Sequence, residues 1–242
     1  VVGFKTDGHN YIATAIENGA KVIVMQQDKL DISLIRSDIT VIVTSDTRKF
    51  MALAACNFYN HPSRDFKLVG ITGTKGKTTT SFMIKSILEK AGRKVGLIGT
   101  IANMIGDEEV EASRTTPESI DLQKLFRQMA DAKVDVVVME VSSHSLALDR
   151  VLGCTFDIGV FTNLTQDHLD YHKSFENYKN AKLLLFESCK IAIINFDDKY
   201  KDDFIKASKG KVLTYSVRDD KADFTARGVR YLPESTNYEF VS

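Results

Sequence analysis

The chain has 242 residues, of which 43% are hydrophobic and 26% charged, a composition that can bury one large core or two modest ones. Lysine plus arginine and aspartate plus glutamate both number 32, so no net field attracts nucleic acid or an anionic membrane surface. No apolar run approaches the ~20 residues that span a bilayer, and the N-terminus lacks the layout of a signal peptide. We therefore expect neither nucleic-acid nor membrane binding.

The three cysteines of the chain lie far apart and fit neither a metal-binding spacing nor a disulfide framework. Such cysteines are typical of the reducing cytosol, so we expect a cytoplasmic protein. The chain starts at Val1 rather than at methionine and stops at Ser242, directly after strand-like residues. We expect both ends to be truncated.

Apolar, β-branched runs alternate with amphipathic stretches along the chain. The runs predict buried strands at residues 22–25, 41–43, 68–71, 95–98, 134–141, 158–161, 191–194 and 212–215. The amphipathic stretches predict helices at residues 48–58, 77–90, 118–130 and 175–187. This alternation indicates an α/β fold with a mostly parallel sheet flanked by helices.

The segment His61-Pro62-Ser63 interrupts this pattern and predicts a domain boundary. We expect an incomplete N-terminal α/β domain at residues 1–64 and a second, C-terminally incomplete domain at residues 65–242. Within the second domain, Gly106-Asp107 predicts a tight turn of the kind found in hairpins.

A glycine-rich loop follows the strand at 68–71 and precedes the helix at 77–90, which is the order that a phosphate-binding loop requires. Gly73 and Gly76 allow backbone N–H groups to approach phosphates, Lys77 adds a positive charge, and the hydroxyl of Thr78 is a ligand for Mg²⁺. Ile71 stands where the common motif has its first glycine. A glycine-rich helix cap without a ligand is the alternative, and the Gly-Lys-Thr sequence in this context favours phosphate binding.

Polar residues also follow later strands, where ligands bind in an open parallel sheet. Glu140 ends an apolar strand and needs a partner, either Mg²⁺ or a nearby lysine or arginine. Ser142, Ser143 and His144 follow it, but the glycines of a nucleophile elbow are absent. The segment after the strand at 158–161 contains Asp167, His168, Asp170 and His172. The spacing of these four residues fits either a metal site or one face of a solvated helix.

Lys182 lies on the apolar face of the last predicted helix, together with Phe175, Tyr178, Leu185 and Phe186. Its ammonium group either reaches the edge of that face or is a neutral, desolvated amine that reacts with CO₂ to form a carbamate. The pattern leaves both alternatives open.

These motifs together resemble the Mur ligases, and the resemblance is strongest to the MurE branch, which adds the third residue to UDP-N-acetylmuramoyl-L-alanyl-D-glutamate. The resemblance extends from the N-terminal segment to about Tyr215. It is carried by the sequences Gly3-Phe4-Lys5-Thr6-Asp7-Gly8-His9, Thr72-Gly73-Thr74-Lys75-Gly76-Lys77-Thr78-Thr79-Thr80, Thr115-Thr116-Pro117, Met139-Glu140-Val141-Ser142-Ser143-His144 and Thr162-Asn163-Leu164-Thr165-Gln166-Asp167-His168-Leu169-Asp170-Tyr171-His172.

The resemblance implies a role for each matching residue. Thr78 and Glu140 would hold one Mg²⁺, and Glu140, His168 and a CO₂-derived carbamate on Lys182 would hold a second. The implied catalytic residues are Lys77, Glu140, His168 and Lys182. The implied ATP-binding residues are Gly73, Thr74, Lys75, Gly76, Lys77, Thr78 and Thr79. The residues implied to contact the UDP-muramoyl-peptide are Phe4, Lys5, Thr6, Thr115, Thr116, Ser142 and Arg150.

The resemblance also implies a reaction. ATP would phosphorylate the D-glutamyl carboxylate, and the amine of diaminopimelate or L-lysine would then displace phosphate from the acyl phosphate, in a monomeric enzyme. The family's amino-acid-binding C-terminal domain has no counterpart in these residues. We therefore expect the 242-residue chain to bind nucleotide without turnover.

Three other functions fit parts of the pattern. Another Mur-superfamily ligase, acting on folate or cyanophycin, shares most motifs but matches less well at residues 4–9 and 140–144. A small-molecule kinase shares the phosphate loop and Glu140 but leaves Lys182 unexplained. A non-catalytic nucleotide-binding module requires only the loop.

Overall fold

The structure is a computed structural model that describes residues 1–3, 6–31, 36–111 and 114–242. In chain order, the strands of these residues are β1 Val22–Gln26, β2 Thr40–Thr44, β3 Lys67–Thr72, β4 Val95–Ile98, β5 Asn103–Ile105, β6 Glu108–Val110, β7 Val136–Glu140, β8 Ile158–Phe161, β9 Ile191–Asn195, β10 Lys211–Ser216, β11 Phe224–Tyr231 and β12 Thr236–Val241. The α-helices are α1 Ile12–Glu17, α2 Thr47–Phe58, α3 Lys77–Lys90, α4 Ser119–Asp131, α5 Ser143–Ala147, α6 Leu169–His172, α7 Phe175–Ser188 and α8 Lys201–Ala207.

The first strands form a small sheet of their own. β1 and β2 pair in parallel, and α1 covers them because Ile12 packs with Ile23, Met25 and Ile39. α2 follows, with the Asp46 carboxylate accepting the backbone N–H groups of the first helical turn. α2 then packs against α4, which belongs to the larger unit.

The larger sheet has the strand order β12-β11-β10-β9-β8-β3-β7-β4-β5-β6. Its central strands run parallel, and β5, β6 and β12 pair antiparallel at the two edges. Side chains of the central strands alternate between two buried clusters, one under α3 and one under α4 and α7. Because both faces are covered, these strands consist of apolar runs rather than an alternating polar pattern.

The registry of the central strands positions the loops that follow them. Ile71 of β3 lies opposite Glu140 of β7, and Thr72 lies opposite Phe161 of β8. The phosphate loop, the segment after β7 and the segment after β8 therefore begin side by side at one edge of the sheet, where strand order reverses and ligands bind.

The predicted α/β fold is confirmed, and each predicted strand and helix is present to within about two residues. The hairpin at Gly106 is also confirmed, because β5 and β6 pair on either side of it. The sequence pattern missed β11 and β12, which carry exposed polar residues, and the short helices α1, α5, α6 and α8. The boundary at residues 64/65 stays a prediction.

In the part of the chain that the structure describes, no helix has the length and apolarity needed to cross a membrane.

Candidate functional site

A polar cavity of 270 Å³ opens at the carboxyl ends of β3 and β7, beside the start of α3. Most of the predicted site residues meet there, although Thr6, Thr79, Thr116 and Arg150 do not line it. Phe4 and Lys5 lie outside the described residues. The lining consists of Gly73, Thr74, Lys75, Gly76, Lys77, Thr78, Thr100, Thr115, Glu140, Ser142, Ser143, His168, Tyr178 and Lys182.

The start of α3 forms the anion-binding part of this cavity. Gly76 precedes the helix with a left-handed φ of 85°, and no side chain caps the first turn. A Cβ at Gly76 would meet no atom within 4 Å. The first N–H groups of a helix have no partner within the helix, and Gly76, Lys77 and Thr78 line the cavity, so the N-terminus of α3 is placed to bind phosphate.

The preceding part of the loop is held by the segment after β8. The Thr74 and Lys75 N–H groups donate to the backbone oxygen and the side-chain Oδ1 of Asn163, at 2.8 and 3.0 Å. Gly73 has φ 151°, and a Cβ there would overlap the Thr162 hydroxyl. Both contacts fix the loop and leave the first turn of α3 as the source of free N–H donors.

Lys77 lies folded over the loop. Its Nζ donates to the carbonyl oxygens of Gly73 and Thr74, at 2.9 and 3.0 Å. Burial lowers the pKa of Lys77, and Lys75 lowers it further, while Glu140 and Asp167 oppose the shift. The ammonium group is therefore placed to exchange loop carbonyls for phosphate oxygens.

Glu140 is buried, with 1% of its surface exposed. Its Oε1 accepts hydrogen bonds from the Thr78 hydroxyl at 2.9 Å and the Thr100 N–H at 3.0 Å, and its Oε2 accepts one from the Thr100 hydroxyl at 3.2 Å. Among the described residues it forms no ion pair with lysine or arginine, so that alternative is wrong. A carboxylate beside a threonine hydroxyl and a phosphate cradle fits Mg²⁺, which uses few protein ligands and completes its shell with phosphates and water.

The interpretation of Asp167, His168, Asp170 and His172 as a joint metal site is wrong. Within the ranges described, no group of three or more His, Cys, Asp or Glu side chains is placed to hold a metal ion. His172 is buried and its Nε2 lies 2.9 Å from the Ser143 hydroxyl. His168 has a left-handed φ of 51° before α6, so the two histidines do not share one helical face. Of these four residues, only His168 lines the cavity.

Lys182 points into the protein, so the alternative in which it reaches the surface is wrong. It is 1% exposed, and its Nζ lies 2.9 Å from the Gly73 carbonyl oxygen and 3.5 Å from the Thr72 hydroxyl. Burial lowers its pKa well below the usual value, and the nearby Lys77 lowers it further, while Asp167 opposes the shift. The neutral form of the amine is therefore easier to reach here than on an exposed lysine.

The predicted substrate residues differ in position. Thr115 and Ser142 line the cavity, and Thr115 is hydrogen-bonded to Thr100 at 3.0 Å. Thr116 is buried, and its hydroxyl donates to the Glu140 backbone oxygen at 2.8 Å. Thr6 is exposed beside Tyr11 and away from the cavity.

Arg150 is also buried and is bound within the protein. Its Nη1 donates to the Thr116 carbonyl at 3.2 Å, and its Nη2 lies 2.8 Å from Glu118. The sequence reasoning missed Thr100, Glu118, Asn163 and Tyr178. Thr100 could have been predicted from the sequence, because it follows the carboxyl end of β4. Residues at the carboxyl ends of parallel strands are candidates for ligand binding, which is also how Glu140 was predicted.

Comparison with known proteins identifies the family of the chain. Residues 71–242 match the family model described as Mur ligase middle domain. The chain belongs to the Mur ligase family.

Relatives of this Mur ligase chain include UDP-N-acetylmuramoyl-L-alanyl-D-glutamate–2,6-diaminopimelate ligases. The Clostridium botulinum enzyme is 54% identical over 237 residues, covering 96% of this chain and 49% of that protein. The Bacillus licheniformis enzyme is 44% identical, covering 100% and 50%. A solved structure with the same enzyme name has a TM-score of 0.83 at 28% identity, covering 97% and 48%. The chain spans about half the length of the curated relatives it matches.

Gly99 separates β4 from Glu140 in this Mur ligase domain, and we expect Gly99→Ala to displace the carboxylate. A Cβ there would lie 2.5 Å from Glu140 Oε1, so Glu140 must leave Thr78 and Thr100. We expect a stability loss of roughly 1–3 kcal/mol and roughly tenfold weaker Mg·ADP binding by calorimetry. Gly106→Ala is the control, since its φ of 63° makes alanine costly far from the cavity. Unchanged affinity in Gly99→Ala would contradict the assignment of Glu140.

The buried His172 predicts a loss of stability in acid. Burial lowers its pKa from 6.5 to about 4, His144, Lys182 and His168 lower it further, and Asp170 opposes the shift. Between these values the unfolded chain binds the extra proton, so stability rises with pH from about 4 to 6.5 and is lost as pH falls. The effect is on the order of 3 kcal/mol.

Urea unfolding at several pH values tests this expectation. His172→Gln keeps a hydrogen-bonding partner for Ser143 but does not titrate, so we expect a flatter pH dependence between 4 and 6.5. His144, whose pKa burial also lowers, contributes to the slope that remains. An identical slope in the variant would contradict the role of His172.

Proposed function

We propose that this protein is an ATP-dependent ligase that joins 2,6-diaminopimelate to UDP-N-acetylmuramoyl-L-alanyl-D-glutamate in peptidoglycan precursor synthesis. The observation that carries the proposal is one cavity shared by an uncapped helix N-terminus, the carboxylate of Glu140 and the buried amine of Lys182. The names of relatives up to 54% identical support the substrates.

The nucleotide would bind at the start of α3. The free N–H groups of its first turn and the Lys77 ammonium would bind the phosphates, and Thr78 with Glu140 would hold Mg²⁺. When bound, Mg²⁺ supplies positive charge that neutralises the phosphates during phosphoryl transfer. Thr115 and Ser142, which also line the cavity, would orient the muramoyl-peptide carboxylate toward the nucleotide.

Lys182 would carry a carbamate. Its neutral amine would form an N–C bond to CO₂ and lose one proton, which places an anionic carboxylate on the side chain. This supplies an oxygen ligand that the cavity needs for a second Mg²⁺, since Glu140 and His168 are the acidic and imidazole groups on its described lining. Mass spectrometry at neutral pH with bicarbonate tests the modification, and the signal should disappear in Lys182→Met.

Nucleotide binding is testable on the 242-residue chain. Lys77→Met should weaken Mg·ADP binding at least roughly tenfold, because it removes a charge-assisted hydrogen bond to phosphate. Lys90→Met is the matched control, since Lys90 is exposed at the other end of the same helix. Equal affinities in the two variants would exclude the phosphate loop as the binding site.

Ligation is distinguished from kinase activity with the full-length product of the coding sequence. A ligase releases ADP and phosphate only when muramoyl nucleotide and amino acid are both present, and diaminopimelate should be used in preference to L-lysine. ADP formation with a stable phosphorylated product would favour a kinase. Release of phosphate with a folate or cyanophycin substrate would favour another branch of the superfamily.

We further propose that the protein acts in the cytoplasm as a monomer, and that the 242-residue chain binds nucleotide without ligation. Its three cysteines are free thiols, which supports a reducing compartment. Sedimentation of the chain with Mg·ADP tests the monomeric state.

A further inference from the structure

Helix α7 contacts the phosphate loop through two side chains that lie one turn apart. Tyr178 and Lys182 are both 1% exposed. The Tyr178 hydroxyl lies 3.0 Å from Thr74 Oγ1, and Lys182 Nζ lies 2.9 Å from the carbonyl oxygen of Gly73. The helix therefore supports two successive residues of the loop from below.

The hydrogen bond between the two hydroxyls has a defined direction. Thr74 Oγ1 donates its one proton to the Thr165 carbonyl at 3.1 Å and accepts the Thr165 N–H at 2.9 Å. A hydroxyl has one proton and two acceptor sites, so all three contacts form together when Tyr178 donates to Thr74. The Thr74 hydroxyl then has all its hydrogen-bonding positions filled, which fixes its side chain.

Fixing Thr74 also fixes the carbonyl groups that hold the phosphate-loop lysine. The oxygens of Gly73 and Thr74 both accept hydrogen bonds from Lys77 Nζ. A shift of Thr74 would move these carbonyls and the approach to Gly76. The effect of Tyr178 therefore reaches the phosphate-binding groups through Thr74.

The ring of Tyr178 has a second role. Its centroid lies 4.8 Å from Lys182 Nζ and 6.2 Å from the His168 ring. The ring therefore packs beside Lys182 and near His168, whereas the hydroxyl contacts the loop. Its hydroxyl and its ring act on different neighbours, so the two contributions are separable by substitution.

We propose that Tyr178 is a positioning residue for nucleotide phosphates, acting through the hydrogen bond from its hydroxyl to Thr74. This inference rests on the proposed binding of nucleotide at the loop. It predicts that Tyr178 contributes to the affinity of the protein for the phosphate groups and does not contribute to the affinity for the nucleoside.

The test is calorimetric titration of the 242-residue chain with Mg·ADP and with Mg·tripolyphosphate, and competition with adenosine. Tyr178→Phe keeps the ring and removes the hydroxyl. We expect roughly five- to tenfold weaker binding of both phosphate ligands and unchanged binding of adenosine. Tyr200→Phe is the control, because it removes a hydroxyl from a ring that does not line the cavity.

A double-mutant cycle with Thr74→Val locates the effect. Either substitution removes the same hydrogen bond, so the combined loss should be clearly smaller than the product of the single losses. Additive losses, or an equal loss for adenosine, would overturn the proposal and indicate a general structural role. Unchanged phosphate binding in Tyr178→Phe would overturn the role of Tyr178 and leave the proposed function standing. If the chain without substitutions did not bind Mg·ADP, the proposed function would be overturned as well.

Discussion

Replacing Lys182 with methionine is expected to stabilise the fold while removing most of its activity. Methionine is similar in length and apolar, so it fills the buried site without the cost of desolvating an amine. We expect a gain of roughly 1–3 kcal/mol in the free energy of unfolding at neutral pH in CO₂-free buffer, where Lys182 carries no carbamate. Ligation by the full-length product should fall by roughly 10²–10³-fold, as when a group that stabilises developing charge is lost.

The stability gain should depend on pH, with a sign that follows from the lowered pKa of Lys182. Between that pKa and the unfolded value of about 10.4, the unfolded chain binds one proton more, so the stability of the unmodified protein rises with pH. The gain in Lys182→Met should therefore be larger at pH 6 than at pH 10. Urea unfolding across this range measures it.

Lys179→Met is the matched control on the same helix. Lys179 pairs with Glu176 and Asp203 outside the cavity, and its Asp203 hydrogen bond raises its pKa. Its replacement should lower stability slightly and leave activity intact. A loss of stability in Lys182→Met as well would contradict the conclusion that the buried amine is costly to the fold.

Glu118→Gln is expected to lower stability by roughly 2 kcal/mol, because it leaves buried Arg150 without its counter-charge. Glu118 accepts Arg150 Nη2 at 2.8 Å and Arg114 Nη1 at 2.9 Å, and Arg48 of α2 lies 3.9 Å away. The loss is smaller than for a fully buried pair, because the Glu118 side chain is 30% exposed. Glu118 stands at the start of α4 without capping it, which leaves its carboxylate free for these arginines.

Glu118→Gln should weaken the binding of the muramoyl substrate more than the binding of the nucleotide. Arg150 holds the Thr116 carbonyl, and the Thr116 hydroxyl holds the Glu140 and Ser142 backbones. We expect a higher KM for the muramoyl nucleotide with little change in Mg·ADP affinity. Glu187→Gln, at an exposed position on α7, should change neither quantity, and an equal stability in both variants would show that Arg150 does not depend on Glu118.

Local order along the chain was sufficient to predict the phosphate loop, because strand, glycines and helix are consecutive in sequence. Glu140 was predicted by a general rule about strand ends. Its partner Thr100 follows another strand, β4, and no local pattern pairs the two residues. The pairing of Arg150 with Glu118 likewise spans distant positions, and no sequence pattern indicated it. The resemblance alone implied a role for Arg150, as a contact of the substrate.

Helical periodicity predicted the face that carries Lys182 but not the direction of its amine, since a long side chain reaches either the surface or the interior. The spacing of His168 and His172 was misleading for a different reason. It implies one face only when both residues are helical, and the left-handed conformation of His168 removes that condition. The missed strands β11 and β12 are exposed and lack the apolar runs that indicated the central strands.

The missing cap of α3 links ligand binding to helix formation. A serine or aspartate before the first turn would stabilise such a helix by about 1 kcal/mol, but its oxygen would fill the position that an anion needs. With Gly76 there instead, a bound phosphate would itself act as the cap. The ligand would give the first-turn N–H groups the partners that they lack, so we expect the amide hydrogens of residues 77–79 to exchange more slowly with solvent when nucleotide is bound.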